Sequence, residues 1–340
     1  MAVPADRVVE RLLEFDEPSI RWKMRIQVLG EDPDSSSITR LREEIRQSPL
    51  VHTLMQDRGN DGRFRKTRDV YSKWQGIHWI MAVLADNGYP EGDAALIPAR
   101  DQLQAKWLGK NFYEEFSVTS RAAAYRGRGV PVMEGRHRRC ASQQSNALWS
   151  IVRLGLVNEQ THDLVERLLH WQWPDGGWNC DKNPSAHHSS FMESILPLRA
   201  MALYGRVFDH QRAREAAARC AEIFLKRSLF IGQSTNKPIK AEFTALHYPL
   251  YWHYDILHGL KVMAESGFID DPRCEPALDL LEHKQLPDGG WPAERKYYKS
   301  SSKIENGNDY VDWGGAGKGR MNPWVTADAL FVLKASGRLL

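Results

Sequence analysis

One unit occurs twice in this chain, as Gln172-Trp173-Pro174-Asp175-Gly176-Gly177-Trp178 and as Gln285-Leu286-Pro287-Asp288-Gly289-Gly290-Trp291. Each closes a run of apolar helical residues, Leu164 to Trp171 in one case and Ala277 to His283 in the other. Pro presets φ and Gly tolerates φ > 0, so Pro-Asp-Gly-Gly makes a tight turn. The flanking Gln brings a hydrogen-bonding amide and the Trp a large aromatic plate. Such a unit met twice implies a repetitive fold, and repeats constrain the architecture before any site does.

Glycine stops set the period. They fall at Gly30, Gly88, Gly155, Gly205, Gly267 and Gly337, roughly 50–70 residues apart. A Gly just past an apolar helix is a common C-terminal stop. The segments they end are Ile20–Leu29, Trp74–Leu84, Ala141–Leu154, Ser190–Tyr204, Tyr251–Glu265 and Trp324–Ala335. A more polar amphipathic segment follows each of the first five: Ile38–Arg46, Asp93–Lys106, Glu159–His170, Gln211–Lys226 and Arg273–Lys284. Asp6–Phe15 has no partner before it and supplies the sixth. Helices that are apolar nearly all round belong inside and amphipathic ones outside. The pattern predicts an all-α fold, an α/α toroid of six inner and six outer helices spanning 1–340 as one domain. The orphan first helix favours a closed ring over an open solenoid. No clear period-2 run of useful length appears, so strands should be minor.

With its doubled Gln-x-x-Asp-Gly-Gly-Trp element, the chain resembles the QW-repeat proteins of the terpene cyclase/prenyltransferase superfamily. That group includes squalene-hopene cyclases, oxidosqualene cyclases and the β subunits of protein prenyltransferases. Leu54-Met55-Gln56 through Asn60-Asp61-Gly62-Arg63-Phe64 reads as a degraded third element. The resemblance implies a toroid enzyme acting on an isoprenoid or other largely apolar small molecule with a polar or anionic head, bound in the cavity. The chain departs from the cyclases in lacking the Asp-x-Asp-Asp acid motif and the Asp-Asp-x-x-Asp signature. Its nearest carboxylate pairs are Asp309 with Asp312 and Asp175 with Asp181. Asp270-Asp271 reads instead as the helix start before Pro272. Toroidal pectate lyases carry similar turns, so a metal-dependent hydrolase or lyase and a non-catalytic ligand-binding toroid remain open.

Loop lengths point to the working end. Connections from inner to outer helices are short, whereas Trp107–Cys140, Trp173–His188, Arg227–Pro249 and Gln285–Pro323 are long. Long structured loops in a compact domain are usually functional. All of them lead into inner-helix N-termini, which favour an anionic group. The same loops are basic, through Arg63, Arg65, Lys66 and Arg68; Arg121, Arg126, Arg128, Arg136, Arg138 and Arg139; Lys237 and Lys240; Lys318 and Arg320. Arg136 and Arg138 are the expected head-group ligands.

Chemistry-capable residues gather at this end. Cys180-Asp181 follows the first doubled turn, His187-His188 opens the next inner segment with Glu193 one turn further in, and His247 opens another. Asp309 and Asp312 lie beside Trp313, and Cys140 opens the third inner segment. His187, His188, His247, Asp181 and Asp312 are the acid–base candidates. Protein prenyltransferase β subunits hold zinc through Asp, Cys and His at comparable places, which implies a zinc site drawn from His188, Cys180 and Asp181. No Asp-x-Cys precedes an inner segment here, and a capping role for the His pair is the plain alternative. Trp74, Trp149, Tyr251, Tyr254 and Trp313 are the expected aromatic lining, with ring faces able to stabilise cations. Most aromatics at such spacing fill a core.

A net charge of +3 implies no nucleic-acid partner. The start lacks a signal-like apolar stretch. Four cysteines without CxxC spacing read as free thiols, so the expected location is cytoplasmic. Peripheral membrane contact is compatible with the resemblance, although no basic amphipathic helix stands out.

Overall fold

The computed structural model describes residues 5–65 and 72–339, so Lys66 and Arg68 lie outside the described residues. The fold is all-α. In chain order the helices are α1 (Ala5–Leu13), α2 (Pro18–Trp22, continued by a π-helical turn Lys23–Val28), α3 (Ser36–Arg46), α4 (Pro49–Met55), α5 (Ile77–Asp86), α6 (Ile97–Trp107) and α7 (Arg121–Arg126). There follow α8 (Ala141–Arg153), α9 (Glu159–His170), α10 (Phe191–Val207), α11 (Gln211–Leu225), α12 (Ile256–Ser266), α13 (Glu275–His283) and α14 (Pro323–Ala335). Strands are short: β1 (Glu115–Ser117), β2 (Val130–Met133) and β3 (Arg136–His137) form one sheet, and β4 (Lys299–Ser300) pairs with β5 (Asn308–Asp309). No helix among the described residues is long and apolar enough to cross a membrane.

Burial sorts the helices as their composition demands. α5, α8, α12 and α14 are buried nearly throughout, whereas α3, α9, α11 and α13 bury one face. Among the buried helices, α5 packs on α8, α8 on α10, α10 on α12, α12 on α14, and α14 on the Lys23–Val28 turn. Lys23 then reaches Asp86 at the end of α5. On the outside, α3 packs on α2, α9 on α8, α11 on α10 and α13 on α12, while α1 lies against α2. Five of the six glycine stops have positive φ. Gly205 is the exception. Helix α10 runs on to Val207, and Gly205 serves close packing, since a Cβ there would stand 2.9 Å from the Arg214 backbone nitrogen of α11. Two helices begin later than expected, because Gly76 and Asp255 take extended N-cap conformations ahead of α5 and α12.

The doubled turns are alike bond for bond. Trp173 N–H donates to Gly177 O at 2.7 Å, and Gly176 N–H to Trp173 O at 2.9 Å. Leu286 N–H donates to Gly290 O at 2.8 Å, and Gly289 N–H to Leu286 O at 2.9 Å. The degraded unit repeats the pattern, with Gly59 N–H to Arg63 O at 2.8 Å and Gly62 N–H to Gly59 O at 2.9 Å. Gly176, at φ +101, could not carry a side chain, because its Cβ would stand 2.6 Å from Arg219 O. Each Trp indole N–H returns to its own outer helix, Trp178 to Leu168 O at 2.9 Å and Trp291 to Leu281 O at 2.7 Å. Each Trp backbone N–H reaches an inner helix, at Ser194 Oγ of α10 and Thr326 Oγ1 of α14. The turns therefore rivet the ends of the one-face-buried helices α9 and α13 to the buried helices α10 and α14.

The buried helices meet over a cluster of charges. Asp328 Oδ1 accepts from Lys23 Nζ and Lys261 Nζ, both at 2.9 Å. Asp86 Oδ2 accepts from the same two ammoniums at 2.8 and 2.9 Å. Arg199 Nη2 donates to Asp86 Oδ1 at 2.6 Å and forks onto Glu265. Its guanidinium lies 3.5 Å from the Trp149 ring centroid. Three cations thus face three anions. Burial works against the Asp86 charge, but the three cations outweigh it and hold the carboxyl well below its usual range.

Candidate metal centre

The local chain builds a three-donor site at the starts of α8 and α10. Cys140 is the N-cap of α8, Glu193 lies in the first turn of α10, and Cys180 sits in the loop after the first doubled turn. Their two Sγ atoms and a carboxylate oxygen all lie within 4.8 Å of one another. Glu193 is buried and held at both oxygens. Trp252 Nε1–H donates to Oε1 at 3.0 Å, and Ser142 N–H donates to Oε2 at 3.2 Å. Burial raises the Glu193 pKa against those bonds. The Cys180 thiol is pushed up by its hydrogen bond with Cys140, then by burial and the Glu193 charge. Two thiols and a carboxylate make a donor set that suits zinc and leaves one position of a tetrahedron open. Beside them runs a buried polar turn, Ser142 to Asn146. Gln143 Oε1, Ser145 Oγ and both amide atoms of Gln144 have no protein partner. Buried polar atoms without partners are scarce in folded proteins and ask for an explanation.

The other expected site residues separate. Asp181 is used within its own loop: its N–H donates to Asn179 Oδ1, and its carboxylate accepts from Asn183 N–H, both at 2.9 Å. Asn183 repeats the turn onto Ser185 at 3.1 Å. His188 is exposed and enters by its backbone carbonyl, which accepts from Asn179 Nδ2. His187 is also exposed, with Glu134 3.5 Å away. Of the expected zinc set, only Cys180 belongs to the three-donor group; Asp181 and His188 do not. Arg136 and Arg138 stack on Trp173, and Arg138 donates to Asp181 O at 3.0 Å, so both are tied to the sheet and its neighbouring loop.

His247 is paired but enclosed. Asp255 Oδ2 accepts its backbone N–H at 2.8 Å and contacts Nδ1 at 2.6 Å, while Oδ1 caps α12 through His258 N–H. An ionised carboxylate only accepts, so Nδ1 is the donor in this contact. The other ring nitrogen, Nε2, is buried without a partner. Asp312 is exposed and accepts from Tyr298 O–H at 3.2 Å. The buried acid of this loop is Asp309 instead. It accepts from Tyr251 O–H at 2.7 Å and Trp313 Nε1–H at 2.9 Å, and burial raises its pKa.

Three of the expected aromatics come together: Trp74 stacks on Tyr251 with centroids 4.8 Å apart, and Tyr251 binds Asp309 beside Trp313. The others do not. Trp149 lies under Arg199, where it lines a recess of about 290 Å³ with Trp22, Asp86 and Glu265. Tyr254 is packed among Phe191, Phe224 and Phe243 and donates to Leu229 O at 2.8 Å. Set against known families and curated proteins, the chain matches no family model and no curated sequence.

Proposed function

We propose that the helices form an α/α toroid with six inner and six outer members, and that the chain is a prenyltransferase-like enzyme using zinc held by Cys140, Cys180 and Glu193. The unbroken succession of helix contacts from α5 to α14 and on to the Lys23–Val28 turn supports the ring. The substrate on this reading is a small molecule with a largely apolar body and a polar or anionic head. Trp74, Tyr251, Trp252 and Trp313 supply apolar surface at the inner-helix starts. Lys182 follows Cys180 by two residues, with Nζ donating to Ala124 O at 3.0 Å, and Lys73 lies 4.6 Å from the Trp252 ring centroid, so cations for a head group stand close by. A cavity deeper on the axis, lined by Asp86, Asn146, Arg199 and His258, measures about 30 Å³. It has room for roughly one water, so the substrate engages the inner-helix starts rather than threading the ring.

The observation that carries this reading is the convergence of the three donors on one point. Zinc bound there would supply a Lewis acid and a deprotonated thiolate or water. Trp252 and Ser142 fix the Glu193 carboxylate in place, and the polar turn Ser142 to Asn146 offers hydroxyl and amide groups to a substrate. Cobalt substitution tests it. Loaded wild-type protein should show a sulfur-to-metal charge-transfer band, and Cys140→Ser/Cys180→Ser should abolish it. A loaded protein with no such band would defeat the zinc assignment.

A second reading rests on Asp309. A buried acid with a raised pKa, facing Trp74, Tyr251 and Trp313, has the means to protonate an apolar substrate beside cation-stabilising rings. Asp309→Asn should then abolish turnover of an isoprenoid substrate in metal-free protein; retained turnover would exclude it.

A further inference from the structure

Glu115, His137 and His170 form a second cluster of ligand atoms, on the outer face of the molecule. They come from three elements. Glu115 starts β1, His137 ends β3, and His170 is the last residue of α9. β1 pairs with β2 and β2 with β3, which carries Glu115 and His137 to the same sheet. Trp173, in the first doubled turn just after α9, donates its indole N–H to His137 O at 2.9 Å and ties that strand to the helix end. Both imidazoles aim Nε2 at one oxygen. Glu115 Oε1 lies 3.2 Å from His137 Nε2 and 2.8 Å from His170 Nε2, with the rings 4.5 Å apart and tilted 56°.

We infer that Glu115, His137 and His170 bind one divalent transition-metal ion, separate from the thiolate site. Two imidazoles and one carboxylate suit zinc, nickel, copper or cobalt rather than calcium or magnesium. His137 is nearly enclosed, which holds its ring in one orientation, whereas His170 is 61% exposed and gives an ion a way in. Three protein ligands leave coordination positions open. Those positions face a groove of about 770 Å³ lined in part by Glu114, Glu115, Asp163, Glu166 and His170. Its acidic wall draws cations. Arg167 on the same wall is engaged with Trp107 O and the Tyr113 ring. Bound through Nε2, each neutral imidazole carries its one N–H proton on Nδ1, and the Nε2 lone pair takes the metal.

Metal counting on untagged, zinc-loaded and gel-filtered protein tests the inference, with circular dichroism confirming the fold of each variant. Cys140→Ser/Cys180→Ser protein should retain one zinc per chain. Adding His170→Ala, or separately Glu115→Gln, should remove it. If the double serine variant holds no zinc, or keeps its ion after both further substitutions, the inference is overturned. If wild-type and double serine proteins each hold one ion and His170→Ala removes it, this site stands while the thiolate reading falls.

Discussion

The charged cluster between the buried helices and the three-donor site at their starts, where Cys140 and Cys180 are half-buried, are both polar, yet they are wired differently. In the cluster, Lys23, Lys261 and Arg199 are neutralised by Asp86, Asp328 and Glu265 within hydrogen-bond distance. At the helix starts, Glu193 is oriented by neutral donors while the neighbouring polar turn keeps several atoms without protein partners. Groups that satisfy one another hold a fold together. Groups held in place but left unsatisfied are available to something else. Substitution at the two places should therefore have opposite signatures, one in stability and the other in binding.

The largest effects belong to the cluster and the turns. Lys261→Ala should cost about 3–5 kcal/mol in urea unfolding, because it strands buried carboxylates, whereas Lys261→Met with Asp328→Leu should recover most of the loss. Equal losses in the single and double variants would show that packing, not charge, dominates there. Trp291→Ala, which removes a buried aromatic from the second doubled turn, should cost a similar 3–5 kcal/mol. Native unfolding behaviour in that variant would mean that the turn is not the rivet described above.

A pH effect comes next. Burial drives the His258 pKa down to about 4 from the ordinary 6.5. The unfolded chain takes up its proton below 6.5 while the folded chain refuses it until about 4. The contribution is therefore full above 6.5 and lost as pH falls through that window, by about 3 kcal/mol. His258→Gln should flatten the acid limb of the stability profile relative to wild type; an unchanged slope would assign the limb to other groups.

Smaller effects sharpen the other half of the contrast. Trp252→Phe removes the indole bond to Glu193 and should weaken zinc binding roughly 10- to 100-fold with the unfolding midpoint little changed. A large stability loss with unaltered zinc affinity would make Trp252 structural only. His188→Ala should leave zinc content unchanged and stability within about 0.5 kcal/mol of wild type, as expected for an exposed side chain outside the donor group. Loss of zinc there would return His188 to the ligand set.

Much of the helical layout was legible in the chain. Apolar stretches ending in glycine located the buried helices, and the degraded unit at Gln56 to Phe64 folds into the same turn as its better-formed relatives. The site was legible only in part. Cys180 stood out, but its partners Cys140 and Glu193 come from other helix starts, and their convergence depends on how loops fold back. Asp181 and His188 looked equally suitable by residue type. The run Asn179, Asp181, Asn183 instead uses side chains to make successive turns, which alternating Asn and Asp favour. Arg138 and Tyr254 were drawn off by Trp173 and by a phenylalanine cluster, contacts that no local pattern announces. The charged cluster did leave a signal in the chain. Arg199, Lys261 and Asp328 each interrupt a mostly apolar stretch, and Lys23 is the buried cation between Arg21 and Arg25.

Those interruptions bear on how each helix finds its rotation about its own axis. A helix that is greasy on every side, such as α14, has no preferred face, and sliding or turning it costs little in apolar contact alone. One charge, together with the Thr326 hydroxyl bonded to Trp291, fixes the azimuth. Asp328 meets Lys23 and Lys261 in a single setting of α14, and every other setting would bury a naked carboxylate. The cluster thus works as a keying device, with teeth on α5, α10, α12, α14 and the Lys23–Val28 turn, that selects a single arrangement from many of nearly equal greasiness.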